Sequence, residues 1–238
     1  MVDYQLFDYG DQAIVIELGK VIDPEINRRV QLLGQLIMKA KIPAIETIIP
    51  AYATLTVTFN GQITNGKMLR QRLVPIIESS LSGDLPVAKT WLIPVAYGGE
   101  YGPDLRDVAD YGGITPTEVI RLHTAQKYLI YFLGFLPGFA YMGTVPDQIA
   151  MPRLASPRLK IPAGSIGIAG QQTGFYPVTS PGGWRIIGQT PLKLYQPENP
   201  VSFYQAGDQI QFEAVTPAEF KAIQLTVQAK TYQPREAE

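Results

Sequence analysis

From Tyr128 onward the chain is cut into short apolar runs by glycine and proline, and that punctuation leaves few folds open. Ten of the 22 glycines lie between Gly134 and Gly188, within turn-like runs such as GFLPGF, SPRLKIPAG and SPGGW. Glycine permits positive φ and close backbone approach, while proline stiffens the loops beside it. Between the turns, Tyr128 to Phe135 is a continuous apolar run, and Ile166 and Ile168 share one face of Gly164 to Gly170. Leu192/Leu194, Ile210/Phe212 and Ile223/Leu225/Val227 each alternate with polar neighbours, which reads as strand. Many short strands of this kind predict a β-barrel or sandwich, with TYQPREAE as a frayed tail.

The first third of the chain has a different rhythm. DQAIVIEL at 11–18 reads as a strand. Ile26, Val30, Leu33, Ile37 and Ala40 then recur at three- and four-residue intervals, with Asp23 placed as N-cap, Pro24 at the first helical position and Pro43 beyond the end. Ile45 to Pro50 reads as a strand, as does Ala53 to Phe59, where Ala53, Leu55, Val57 and Phe59 alternate with three threonines. Asn65 to Leu81 predicts a second helix, bent at Pro75, with Leu69, Leu73, Ile76 and Ile77 on one side. This βαββα order predicts a small split-βαβ sandwich over 1–85. A polar joint at 82–88 leads to an alternating strand at Trp91, Ile93, Val95 and Tyr97, so a second domain is expected over 86–238. It opens with two short helices, 104–110 and 115–124, the latter started by a Thr115–Pro116–Glu118 capping box. The fold class expected is therefore α+β, a small α/β sandwich followed by a β-barrel.

Composition removes whole classes of chemistry. There is no cysteine and one histidine, His123, in 238 residues, which excludes disulfides, thiolate nucleophiles, thiolate zinc sites and multi-histidine metal sites. The N-terminus has acids ahead of its first apolar run, the wrong order for a secretory signal, and no run approaches the ~18 apolar residues of a membrane span. The expectation is a cytoplasmic protein with no membrane or nucleic-acid partner. The helix-turn-helix look of 107–123 carries more acid than base, unlike a phosphate-reading surface. No dinucleotide fingerprint, Walker loop or nucleophile elbow is present.

Charge is unevenly placed. Residues 119–197 hold seven bases, Arg121, Lys127, Arg153, Arg158, Lys160, Arg185 and Lys193, against the single acid Asp147, a net +6; the remainder holds 13 bases and 20 acids. A cationic block rich in loops suits an anion, since arginine forks and loop N–H groups bind carboxylate or phosphate. The same charges also suit simple solvation around a barrel, or an acidic partner subunit. Interleaved aromatics, among them Phe135, Phe139, Tyr141, Tyr176 and Trp184, fit either loop packing or the wall of a groove. His123, at a helix end, reads as a packing residue ahead of a general base.

The stretches WLIPVAYGGEYGPDL, LHTAQKYLIYFLGFLPGFAYMG, MPRLASPRLKIPAGSIGIAG and QTGFYPVTSPGGWRIIGQTPLKLY carry a resemblance over Trp91 to Tyr195. They resemble the KipI/PxpB family, also labelled the first subunit of allophanate hydrolase. Ala140 stands where that family's PGFPY-like run has proline. The resemblance implies a cyclophilin-like barrel and one of two roles. One is the PxpB subunit of an ATP-dependent 5-oxoprolinase, which opens 5-oxoproline to glutamate together with PxpA-type and PxpC/KipA-type subunits. The other is a KipI-type inhibitor of a sporulation sensor histidine kinase. A more distant relation is the carboxyltransferase region of urea carboxylase. Phosphorylation of the lactam oxygen would call for cationic stabilisation. On this reading Arg153, Arg158, Lys160, Gln171 and Thr173 would hold a carboxylate or phosphoryl oxygen, Tyr176 and Trp184 would shape the wall, and His123 completes the candidates. The resemblance carries no catalytic residue to a position here. ATP and magnesium are expected at the level of the complex, held at least partly by a partner, with this chain binding no metal and inactive alone.

Overall fold

The computed structural model describes residues 4–85, 87–198, 200 and 202–237. The chain divides into two compact units, Met1–Val87 and Ala88–Glu238. Pro86, where the second domain is expected to begin, lies outside the described residues.

In the first unit, β1 (Gln5–Asp8), β2 (Ala13–Glu17), α1 (Pro24–Lys39), β3 (Ile45–Pro50), β4 (Thr54–Phe59) and α2 (Gly66–Ser82) follow in order. The sheet runs β1-β2-β4-β3, antiparallel throughout, so β4 lies between the two strands that α1 connects. That is the split βαβ arrangement. Asp23 caps α1 by accepting from the Glu25 and Ile26 amides at 2.8 and 3.0 Å, and Asn65 caps α2 by accepting from Met68 at 3.0 Å. Val30, Leu33 and Ile37 of α1 and Leu69, Leu73 and Ile77 of α2 are buried against Ile14, Ile16, Leu55, Val57 and Phe59. Ala40 is exposed at the C-cap and adds nothing to this core. Pro75 sits inside α2. The strand β1, which no sequence pattern marks, is mostly exposed and is held by pairing to β2.

The second unit is built on β5 (Thr90–Tyr97), α3 (Leu105–Gly112), α4 (Pro116–Thr124), β6 (Lys127–Leu133), β7 (Ala140–Gly143), β8 (Arg158–Ile161), β9 (Ser165–Ala169), β10 (Gln172–Phe175), β11 (Ser180–Gly182), β12 (Arg185–Gln189), β13 (Gln209–Ala214), α5 (Pro217–Gln228) and β14 (Arg235–Glu236). Seven strands close into a barrel in the order β12-β9-β10-β7-β6-β13-β5, with β5 returning to β12 through Ala96 and Tyr97. The same edge of β5 pairs with β14 at Trp91 and Leu92. The interior is filled by side chains from alternate positions, among them Ile93, Val95, Tyr128, Ile130, Met142, Ile166, Ile168, Phe175 and Phe212. Helices α3 and α4 add Leu105, Val108, Ala109 and Val119 to the same core. The ribbon β8–β11 forms a separate two-stranded sheet. The architecture is α+β with a closed barrel.

Three expectations for this unit are corrected. Ile223, Leu225 and Val227 belong to α5, not to a strand, and Leu225 is 66% exposed. Leu192 and Leu194 are buried but lie outside any strand. The C-terminal tail is paired: β14 joins β5, and Arg235 forms an ion pair with Glu213. The box expected at α4 is half formed. Thr115 accepts from the Glu118 amide, but the Glu118 carboxylate is taken by Arg121 at 2.6 and 2.8 Å. A complete capping box stands at α5 instead, where Thr216 and Glu219 exchange hydrogen bonds.

Candidate functional site

The outer wall of the barrel carries the aromatic cluster. Gly167 and Gly174 face each other across β9 and β10, and both lie under Trp184. A Cβ on Gly174 would stand 2.8 Å from the Ala140 carbonyl oxygen and 3.0 Å from Cζ3 of Trp184, so the indole lies against bare backbone. Phe139 makes edge contacts with both Tyr176 and Trp184, at ring separations of 5.3 and 5.4 Å, and Tyr141 stacks on Phe132 at 4.5 Å. Ile161 of the ribbon closes over this group. Burial raises the phenol pKa of Tyr176 and of Tyr141, and in both the positive charge of Arg153 opposes the rise. Phe135 stands at the rim, 66% exposed and with φ of +64°.

Of the eight residues singled out from sequence, the fold gathers four here: Arg153, Arg158, Tyr176 and Trp184. Arg153 is exposed. Arg158 is not free to grip an anion, because both prongs of its guanidinium hold Asp104 at 2.6 and 2.8 Å. Asp104 is buried and also accepts the Ile186 amide at 2.6 Å, so this ion pair ties the ribbon to the start of α3 and to β12. Donating these hydrogen bonds to the Asp104 carboxylate raises the pKa of Arg158. Lys160 is exposed on β8. Gln171, at the turn after β9, donates to Asp147 at 3.2 Å.

His123 and Thr173 lie inside the barrel, both fully buried. Tyr97 Oη lies 2.8 Å from Nδ1, and Thr173 Oγ1 lies 2.8 Å from Nε2 and 3.2 Å from the Gly167 carbonyl. One neutral tautomer satisfies every group: Tyr97 donates to Nδ1, Nε2–H donates to Thr173, and Thr173 donates to Gly167. The imidazole stacks on Phe212 at 4.5 Å, and burial pushes its pKa down to about 3. Neither side chain faces solvent, so the fold makes this pair a polar brace within the core.

A second feature was not anticipated from sequence. A cavity of about 480 Å³ opens between α5 and the loop that follows β12, within the 300 to 1,000 Å³ range usual for small-molecule sites. None of the eight residues lines it. The signal was present in Thr216–Pro217–Ala218–Glu219, a helix start, followed by Phe220, Ile223 and Val227 at helical spacing. Reading Ile223, Leu225 and Val227 as alternation hid it.

The fit of a magnesium-bound nucleotide can be judged from these groups. Among the described residues no three His, Asp or Glu side chains converge as a metal site. Arg158 is committed to Asp104, and Asp147 to Gln171. Among the described residues, the candidates read from sequence therefore do not converge on a magnesium–nucleotide site.

Residues 4–204 match the family described as carboxyltransferase domain, subdomain C and D. The chain is 41% identical over 233 residues to the B-type subunit of 5-oxoprolinase from Bacillus subtilis (strain 168), covering 93% of this chain and 97% of that one. It is 38% identical over 205 residues to the corresponding B-type subunit of 5-oxoprolinase from Escherichia coli O157:H7, covering 85% and 92%. Among solved structures, that of TTHA0988 superposes with a TM-score of 0.76 at 30% identity, covering 87% of this chain and 40% of the other, so the chain spans two fifths of that protein. The match runs through both units and through the glycine-rich loops that build the aromatic wall and the cavity, and the chain belongs to the KipI/PxpB family.

Proposed function

We infer that the chain is the PxpB subunit of an ATP-dependent 5-oxoprolinase, a cytoplasmic complex in which it works with PxpA-type and PxpC/KipA-type subunits to open 5-oxoproline to glutamate. The observation that carries this reading is the correspondence with a B-type subunit of 5-oxoprolinase over 93% of this chain and 97% of that one. A cyclophilin-like classification of the barrel belongs to the same reading, supported by its seven closed strands.

The chain acts as a dependent subunit. Its one histidine is neutral and sealed in the core, and Arg158 serves the internal carboxylate of Asp104. Nucleotide and magnesium therefore belong to surfaces that partner subunits supply or complete. This chain contributes a preformed barrel wall and, on α5, a cavity of ligand size.

The test is reconstitution. Glutamate release from 5-oxoproline, coupled to ATP hydrolysis, is expected when the three subunits are combined and absent when any one is left out. Full turnover by the partners without this chain would remove it from the catalytic unit. Sensor-kinase autophosphorylation measured alongside reads out the inhibitor role: inhibition without turnover in any combination would replace the enzyme reading.

A further inference from the structure

Helix α5 has two faces at helical spacing. Ile223 and Val227 pack against the barrel core and Phe220 is buried against Tyr101, while Lys221, Gln224 and Gln228, also at i, i+3 and i+7, extend the cavity lining that Phe220 and Val227 begin. The opposite wall is the segment 189–193, and it is held in shape before any ligand arrives. Gly164 adopts φ of +83°, and the Thr190 amide donates to its carbonyl at 2.9 Å. A Cβ at Gly164 would meet the Thr190 oxygen at 2.5 Å, so only glycine allows this approach. Gln189 donates Nε2 to the Ala163 carbonyl at 2.8 Å, which fixes the side chain and leaves Oε1 as an acceptor. Tyr101 leans on Phe220 at 4.6 Å and closes one end.

The chemistry of the lining is specific. Leu192, Phe220 and Val227 supply apolar surface. The lining holds two lysines, Lys193 and Lys221, and one carboxylate, Glu100, a net of one positive charge. The amides of Gln224 and Gln228, with Oε1 of Gln189, offer both donors and acceptors. The side chains of Lys193, Lys221, Gln224 and Gln228 make no hydrogen bond or ion pair to another described residue. A ligand that satisfies all three kinds of surface carries one carboxylate, an amide N–H and C=O, and a few methylenes. We propose that this cavity binds the small cyclic-amide carboxylate on which the complex acts, a proposal that rests on the 5-oxoprolinase reading. The lysines hold the carboxylate, the glutamines pair with the amide, and the ring lies on the apolar floor. The cavity is open to solvent along one side, so a bound ring stays within reach of a partner subunit.

The experiment compares Lys193→Gln, Lys221→Gln and Gln224→Ala in the assembled three-subunit complex, with Lys127→Gln as an exposed control on β6. Loss of one charge-assisted contact predicts a rise in KM for 5-oxoproline of about ten- to a hundredfold for each lysine, with KM for ATP, complex assembly and Tm unchanged. An unchanged KM for 5-oxoproline in both lysine variants would overturn the cavity assignment while leaving the enzyme reading intact. Should the wild-type complex fail to turn over 5-oxoproline, the enzyme reading falls, and the cavity is then tested on the isolated full chain. Backbone amide NMR with 5-oxoproline, glutamate and acetate as probes is expected to show shifts confined to 189–193 and 221–228. Absence of such shifts with every probe would overturn the site itself.

Discussion

Replacing Arg158 by alanine separates the two roles that an arginine in this position can have. The side chain makes two hydrogen bonds to Asp104, whose buried carboxylate otherwise accepts, among the described residues, only the Ile186 amide. Removing one partner of a fully buried pair costs about 3–5 kcal/mol, because the remaining charge is left desolvated. Here the Arg158 side chain is 33% exposed, so water relieves part of that penalty and the expected loss is about 2–3 kcal/mol. For a unit of about 150 residues this corresponds to a fall in Tm of about 5–10 °C. Arg158→Lys should lie between, since lysine keeps the charge but loses the fork. Adding Asp104→Asn to Arg158→Ala should recover more than half of the loss: asparagine neutralises the orphaned charge and still accepts from Ile186. Urea and thermal unfolding of the four proteins read the stability, and turnover in the assembled complex below the transition reads the function. An unchanged Tm in Arg158→Ala with turnover abolished would refute the internal-clamp assignment and return this residue to anion binding.

Other parts of the structure make equally direct demands. Gly174→Ala forces a methyl against the Ala140 carbonyl and Trp184, and should cost about 1–3 kcal/mol and alter the near-ultraviolet circular dichroism of the aromatic wall; an unchanged spectrum and Tm would mean the indole is not seated as described. His123 takes up its proton at about pH 3 when folded but near 6.5 when unfolded, so stability present above pH 6.5 is lost as pH falls towards 3, by up to about 1.4 kcal/mol per pH unit. His123→Gln removes that contribution, and urea unfolding of both proteins at pH 7 and pH 5 should show a shallower loss in the variant; parallel losses would show that the imidazole is not held neutral. Thr216→Ala removes the α5 cap and should lower stability by about 1 kcal/mol, with increased amide exchange confined to the start of α5; unchanged exchange there would refute the capping box.

Much of the fold was legible where local chemistry and burial point the same way. Asp23 with Pro24, the i, i+3, i+4 rows of α1 and α2, and the threonine alternation of β4 each specify an element without help from distant residues, because a single face meets the core. Between Gly134 and Pro197 the glycine and proline punctuation likewise indicates short strands, since no stretch between the turns is long enough for a helix, whereas 218–233 holds neither residue and carries α5. The exceptions share a cause. β1 and β14 are short edge strands whose side chains are mostly exposed, so no burial pattern marks them; their backbone partners do. Over 223–227 the same three apolar residues fit period two or part of a helical row, and only the Thr216 cap upstream separates the readings.

The site candidates divide along the same line. Sequence by itself determined which chemistries were available: no thiol, one imidazole, and a block of bases among glycine-rich loops. It also determined which loops could approach one another closely, since glycine at 164, 167 and 174 is a property of the chain. Tertiary structure decided what each charged or polar group faces. Asp104 lies 54 residues before Arg158, and Thr173 lies 50 residues after His123; the first meeting turned an apparent anion grip into an internal brace, and the second gave the packing histidine its buried partner. The cavity beside α5 has the same origin, because Gln189, Lys193 and Lys221 converge only when the closed barrel brings the end of β12 beneath the helix. Charge and hydrogen-bonding capacity are carried by each residue, but their consequences depend on neighbours a few ångströms away, and that proximity is set by closure of the sheet.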